Sequence, residues 1–445
     1  MTECNRQKLL FSSLKRQKVE GDFDGGRLSS DAGTLLLREV NQRTGLISAL
    51  ADCITDPRDP AKVTHDLTTM LSQRIFGIAA GYEDLNDHNT LRDDPVFQIL
   101  AERSPTPGNP LASPSTLCRF ENRINRPALV RMAAVLVDQF LASHRRPPQE
   151  LVLDFDATDD AVHGQQEKRF FHGYYDHYCF LPLYVFCGSH LLCAYLRPSN
   201  IDAAQHAQAI LRLIVERLRE AWPEVHLIFR GDSGFCRWKL LRWCERHHVD
   251  YVVGLARNAV LEQLAEPYMT RAAERFERTG RKQRSFYAVR YGAKTWDCLR
   301  RVIVKAEYLP QGPNCRFVVT SLNVKPSRVY DKWYTPRGDM ENRIKEQQLG
   351  LFADRTSCHQ FVANQFRLLL ASAAYVLMDE LRRTGLVGTE LACAQVDSVR
   401  LKLFKVAARV RTSVRRIIFH LSSTYPYQSL FARLVARLCP APAPT

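Results

Sequence analysis

Leu151-Val152-Leu153-Asp154-Phe155-Asp156-Ala157 is the stretch at which the chain changes character. Before it, apolar residues recur mostly at helical spacing. From Glu150 onward they run together in short blocks, the pattern of buried strands. Asp154 and Asp156 are two residues apart, so on a strand they share one face. A carboxylate at the end of an apolar strand is poorly placed for packing and well placed to hold a hard divalent cation. A second such end occurs in Leu227-Ile228-Phe229-Arg230-Gly231-Asp232. A third carboxylate, Glu341, follows a wide gap in Tyr334-Thr335-Pro336-Arg337-Gly338-Asp339-Met340-Glu341. Three such groups brought together can hold a metal pair for phosphoryl transfer.

Each acid also has a plainer reading. Asp154, Asp159 and Asp160 suit ordinary strand-end acids that cap a turn. Asp232 lies between Gly231 and Ser233-Gly234, small residues that let a phosphate or metal approach the backbone closely. Glu341 shares a helical segment with Arg337, Arg343 and Lys345. One helical turn separates Arg337 from Glu341, so both can face one phosphate. Taken alone, that cluster reads as a solvated helix face. Asp154 and Asp156 remain alternatives for the first strand-end position.

Working outward, strands are expected at Leu151–Ala157, Phe170–Gly173, Cys179–Cys187 and His190–Leu196. An amphipathic helix over Ile201–Trp222 follows, then a strand at Val225–Arg230, a helix at Arg237–His247 and a strand at Tyr251–Ala256. A meander followed by alternating strand and helix predicts a mixed sheet with helices against its faces. It is also the element order of the ribonuclease-H-like fold, in which the first and fourth strands end side by side. Residues 258–330 carry strand-like runs at Ser285–Tyr291, Cys298–Ala306 and Cys315–Leu322, and predict an all-β insertion rather than a continuation of the sheet. Helical patterning returns over Gly338–Leu351 and Gln360–Arg383.

Residues 1–149 predict a mostly helical region, with helices over Leu67–Ala80 and Ala128–His144. Within it, Ser113-Pro114-Ser115-Thr116 precedes a helix bearing Arg119 and Arg123, the way a recognition helix can begin, and equally the way a capped surface helix begins. The division expected is 1–149 as a mostly helical region, 150–257 and 331–385 as the two parts of the α/β core, 258–330 as the insertion, and 386–445 as a basic tail. That tail carries nine Lys or Arg against Glu390 and Asp397, and Arg411, Arg415 and Arg416 form a stripe suited to phosphates.

The whole chain of 445 residues has a formal charge of +15, which points to a polyanionic partner and disfavours a hydrolase acting on sugars. No run of eighteen apolar residues is present, so no membrane partner is expected. The N-terminal residues lack a signal-peptide core, and the 13 cysteines are scattered with no C-x-x-C pair. Both fit reduced thiols in a cytoplasmic protein. Cys187, His190 and Cys193 do not have zinc-site spacing.

The chain resembles bacterial insertion-sequence transposases with a DDE triad, of the IS4-like superfamily and its IS1380 group. The resemblance is carried by Asp154-Phe155-Asp156-Ala157-Thr158 through His163-Gly164, by Phe171-His172-Gly173-Tyr174-Tyr175-Asp176-His177-Tyr178 through Tyr184, and by Arg230-Gly231-Asp232-Ser233-Gly234-Phe235. The Tyr334 to Glu346 segment and Gly25-Gly26-Arg27-Leu28-Ser29-Ser30-Asp31-Ala32-Gly33 complete it, so it spans nearly the whole chain. It implies an α/β protein with a ribonuclease-H-like catalytic core interrupted by an all-β insertion. It also implies Asp156, Asp232 and Glu341 as the catalytic, metal-holding triad for two Mg²⁺ ions, with Mn²⁺ as a substitute. Tyr334, Arg337 and Lys345 would contact DNA, together with Arg119, Arg123, Arg411, Arg415 and Arg416. The implied partners are double-stranded DNA, as terminal inverted repeats and target, and a second protomer in a homodimer on that DNA. The family has Lys seven residues after the Glu; here residue 348 is Gln. The rival expectations are a nuclease that cuts without joining and a degenerate DNA-binding relative.

Overall fold

The computed structural model describes residues 9–439. One compact unit comprises Asp52–Thr55 and Glu121–Asp379. It is built on an eight-stranded sheet whose strands, in chain order, are β1 (Glu150–Ala157), β2 (Leu183–Cys187), β3 (His190–Tyr195), β4 (His226–Gly231), β5 (Asp250–Leu255), β6 (Gln283–Tyr291), β7 (Arg300–Leu309) and β8 (Gly312–Thr320). The spatial order is β6-β7-β8-β5-β4-β1-β2-β3. The central strands β1, β4 and β5 are parallel, and every other pairing is antiparallel.

Alternation along the central strands sorts their side chains between two cores. Leu151, Leu153 and Phe155 of β1 join Leu227 and Phe229 of β4 on one face. That face packs against α1 (Arg126–Ala142), α2 (Ala207–Ala221) and α3 (Trp238–Arg246) through residues such as Phe140, Leu211, Leu218 and Leu241. On the other face Ile228, Val252, Ile303 and Val318 meet Val329, Tyr330 and Trp333 from a widened helical turn at Val329–Tyr334. Asp154, Asp156 and Arg230 belong to this second face. A helix at Phe361–Glu380 covers part of it, with Tyr375 stacked edge-on against Phe186 at 5.7 Å. The segment Phe361–Leu386 is long and apolar enough to cross a membrane, but its most apolar window is 83% buried inside the protein.

Four expectations differ from the structure. The strands of 283–320 do not form a separate all-β insertion: β8 pairs with β5 from Val252↔Thr320 to Leu255↔Phe317, so they continue the main sheet. A helix over Ala259–Thr279 precedes them. Asn258 caps it by accepting a bond from the Leu261 amide at 3.0 Å, and Gly280 ends it at φ 63°. Pro267 in its interior obscures the helical signal. The run Cys179–Cys187 is two strands rather than one, because Pro182 has no amide to donate to a ladder. Its first part, His177–Phe180, pairs with Phe170–His172 and Asp160–Ala161 in a small sheet of its own, so Phe170–Gly173 is not part of the main sheet either. The helix expected from Ile201 begins at Ala207, since Arg197 folds the preceding loop by donating to the carbonyls of Leu181, Ala203 and Gln205.

The other compact unit comprises Met1–Ala51, Asp56–Phe120 and Glu380–Thr445. Its longest helix is Leu67–Ala80, capped by Asp66, whose carboxylate accepts from the Thr69 amide at 2.6 Å, and closed by Gly81 at φ 99°. The described residues from Glu380 to Cys439 are built into this unit. Lys405 donates to Asp31 at 2.6 Å, and Ala408–Thr412 pairs with both Leu28–Ser29 and Ile417–Leu421.

Candidate active site

The register of two neighbouring strands creates the site. In the parallel pair β1 and β4, Glu150 lies opposite His226, and the ladder runs to Phe155 opposite Gly231. Continuing it by one residue sets Asp156 beside Asp232 at the C-terminal ends of both strands. Parallel sheets bind ligands at such ends.

Asp154 and Asp156 share a face and have different fates. Asp154 lies opposite Arg230 in the same ladder, and the pair is buried, with side chains 5% and 9% exposed. Arg230 Nε and Nη2 donate to the two Asp154 oxygens, and Nη1 donates to the Trp333 carbonyl. Burial raises the Asp154 carboxyl above the ordinary range while Arg230 opposes the rise. Two residues on, Asp156 Oδ2 lies 3.5 Å from Arg337 Nη1, and Oδ1 accepts from the Ala157 amide at 3.0 Å. Burial pushes the Asp156 carboxyl up to about 7; Arg337 lowers it, and the neighbouring charges of Asp232 and Glu341 add to the rise.

Asp232 begins a tight turn over Ser233–Phe235, and its Oδ1 accepts from the Gly234 amide at 2.9 Å. Gly254 on β5 makes room for this turn. A Cβ there would sit 2.7 Å from the Tyr334 hydroxyl and 2.9 Å from the Ser233 amide nitrogen. The missing side chain therefore lets Tyr334 approach the Asp232 turn.

After α4 (Ala259–Thr279), the helix α5 (Gly338–Lys345) carries Glu341 and packs against β1. Arg337 Nη2 donates to Glu341 Oε1 at 2.8 Å, one turn along. Arg337 thus bridges Asp156 and Glu341. Burial lowers the pKa of its guanidinium, but Asp156, Tyr334, Glu341 and Asp232 together outweigh that and raise it. Tyr334 is half-buried, and burial raises its phenol.

Hard carboxylate oxygens are the right donors for Mg²⁺ or Mn²⁺. Asp232 and Glu341 are both close enough for their charges to act on Asp156. Among the described residues, however, no three acidic, His or Cys side chains converge as a ready metal cage. The positive charge between Asp156 and Glu341 is the Arg337 guanidinium. The donor set fits a hard cation, and Arg337 holds two of its members.

Residue 348 has its own role. Gln348 Nε2 donates to the Asp159 carbonyl at 2.9 Å and to Asp160 Oδ1 at 2.8 Å, bracing the segment that follows Asp156. Lys345 is exposed on α5. Arg119 and Arg123 are exposed on the helix Pro114–Arg123, and Arg411, Arg415 and Arg416 are exposed on the hairpin of Ala408–Thr412 and Ile417–Leu421. Sequence reading missed Arg230 as the partner of Asp154, Gly254 as the clearance for Tyr334, and the Gln348–Asp160 bond. Only Arg230 had a signal, since an arginine within an apolar strand needs a buried acid.

Residues 11–443 match the family described as transposase DDE domain, group 1. The chain belongs to this DDE transposase family. Membership makes it a nucleic-acid phosphoryl-transfer enzyme with DNA transposase function, in a family that generally uses divalent metal ions. No curated protein matches the chain. A cryo-EM structure of the piggyBac transposase synaptic complex with hairpin DNA is similar with a TM-score of 0.39 and 10% identity, over 85% of this chain and 80% of that one.

Proposed function

We propose that this transposase is an insertion-sequence enzyme of the IS4-like, IS1380 type, with Asp156, Asp232 and Glu341 as its DDE triad on a ribonuclease-H-like core. The observation that carries the reading is the pairing of β1 with β4, which sets two carboxylates at neighbouring strand ends beside the Arg337–Glu341 helix. The order β3-β2-β1-β4-β5, with β2 antiparallel and the last three parallel, supports the core assignment. Asp154 is committed to Arg230, which favours Asp156 as the first acid.

Mg²⁺ held by the three carboxylates would stabilise charge on attacking and leaving oxygens. Hydrolysis of a phosphodiester at the element's end breaks a P–O bond and frees a 3′-OH. That oxygen then attacks a target phosphodiester, forming a new P–O bond as the old one breaks. Arg337 grips a phosphate near the reacting one with its planar fork, and Tyr334 lies against the DNA beside it. Arg119, Arg123 and Lys345, with Arg411, Arg415 and Arg416, contact the DNA backbone. The region of residues 1–149 reads the terminal inverted repeats, and two protomers pair the ends.

The test is incubation of the protein with a duplex of its element's end, Mg²⁺ and a target plasmid, beside Asp232→Ala. Cleaved and joined products that vanish in the variant are expected. Joined products that persist in Asp232→Ala would overturn the triad, and cutting without joining would make the protein a nuclease.

A further inference from the structure

The motif Phe171-His172-Gly173-Tyr174-Tyr175-Asp176-His177-Tyr178 has no part in the triad, yet the fold ties it to the site. Asp160–Ala161, four residues past Asp156, pairs with His177–Phe180, which pairs with Phe170–His172. His177 and Asp159 are joined at 2.8 Å, and the Val162 amide donates to the Tyr178 carbonyl at 2.8 Å. This hairpin is therefore anchored beside the end of β1. Burial raises the Tyr175 phenol, and Tyr175 is close enough to Asp159 and Asp156 for their charges to add to the rise.

The outer side of the hairpin is aromatic and exposed. Phe171 and Tyr178 lie directly opposite in the ladder, their rings 5.7 Å apart, and are 53% and 46% exposed. Tyr174, at the tip, is 85% exposed. The Arg169 guanidinium lies over the Tyr178 ring at 4.5 Å. A soluble protein rarely keeps so many large rings in water on one short element unless something covers them.

We propose that this hairpin stacks on unpaired nucleobases of the DNA strand entering the site, with Phe171, Tyr174 and Tyr178 as the platform and Arg169 as a flanking cation. The occupant follows from position and chemistry. Every base has a π-face that an aromatic ring or guanidinium can cover, and such stacking tolerates any sequence. DNA strands that reach Asp156 pass a hairpin attached four residues away from it. This inference rests on the proposed DDE site for the identity of the strand that arrives.

The test needs neither metal nor cleavage, so its failure is separable from failure of the triad. Binding of the full chain to a dye-labelled 15-nucleotide oligothymidine is compared, by fluorescence anisotropy, with binding to the same length of abasic sugar-phosphate chain. The wild type is expected to prefer the base-bearing strand by roughly 10-fold or more, as stacking of one base or more predicts. Phe171→Ala and Tyr174→Ala should lose most of that preference while binding the abasic chain as before, and Tyr174→Phe should keep it. Equal affinity of the wild type for the two strands would overturn the proposal. So would variants that keep the preference, or variants that lose both affinities together. Conversion of a wild-type dimer to a monomer by Phe171→Ala in sedimentation, with the base preference intact, would assign the face to a second copy of the chain and also overturn it.

Discussion

The buried pair of Asp154 and Arg230 separates structure from chemistry at the head of the site. Arg230→Met removes both donors to the carboxylate and orphans the Trp333 carbonyl, one residue before Tyr334. With side chains only 5% and 9% exposed, neither group can turn to water. Breaking such a pair from one side costs about 3–5 kcal/mol, because an uncompensated charge is left buried. Asp154→Leu, which strands the guanidinium, should cost a similar amount. The double variant Asp154→Leu/Arg230→Met replaces the pair by apolar groups of similar size and should recover most of the loss. Denaturant unfolding of all four proteins gives the cycle, with a coupling of at least about 2 kcal/mol expected between the two positions. The same four proteins are then assayed for cleavage of an element end. If Asp154 only organises the fold, the double variant cuts within about 10-fold of the wild type, a ratio that amounts to about 1.4 kcal/mol. A double variant that is as stable as the wild type and has no activity would refute the assignment and make Asp154 a member of the reacting site.

Gly254→Ala puts a Cβ 2.7 Å from the Tyr334 hydroxyl and 2.9 Å from the Ser233 backbone. Overpacking of this kind costs about 1–3 kcal/mol, and a misplacement of about 1 Å can cost roughly 100-fold in rate. Cleavage kinetics should therefore fall more than thermal stability, and an Ala variant with wild-type turnover would sink the argument. The Asp160 carboxyl is pushed up to about 8 by burial, with Gln348 pulling it down and Asp354 and Asp159 adding to the rise. Its folded pKa thus exceeds the unfolded one, near 4. The folded chain holds this proton while the unfolded chain loses it, so stability from this group falls as pH rises from about 4 to about 8 and is level beyond. Asp160→Asn should flatten that slope in denaturant midpoints measured across the window; an unchanged slope would show that the group does not hold its proton. Arg337→Ala frees Asp156 and Glu341 from a competing cation. It should tighten Mn²⁺ binding measured by calorimetry without DNA, while weakening DNA cleavage. Looser Mn²⁺ binding would mean that Arg337 organises the acids instead of competing for them.

Much of the framework was legible along the chain. The apolar block ending at Asp156 and the one ending at Asp232 emerge as the neighbouring strands Glu150–Ala157 and His226–Gly231, because short apolar runs between turns have few other ways to be buried. The helix Leu67–Ala80 was legible to the residue, helped by Asp66 before it and Gly81 after it. Less was legible between 258 and 320. Pro267 hid a helix, and local pattern could not tell strands that extend a sheet from strands that build their own. A strand's pattern records which faces are buried and says nothing of its neighbour.

Local pattern along the chain is enough to say which residues can form strands and helices, and that carboxylates fall at two strand ends and on one later helix. Those are local properties, set by side-chain period, caps and breakers. Packing of distant elements is what gives Asp154 to Arg230 while Asp156 faces Arg337. The two acids are equivalent in period, and what separates them is ladder register: Asp154 has an arginine opposite it, and Asp156 has the open end of the neighbouring strand. Such packing also turns Gln348 to Asp160, and lets Gly254 clear a path for Tyr334 to the Asp232 turn. Those contacts join residues dozens to nearly two hundred positions apart. Such pairs meet through the packing of whole elements, which no local window of sequence contains.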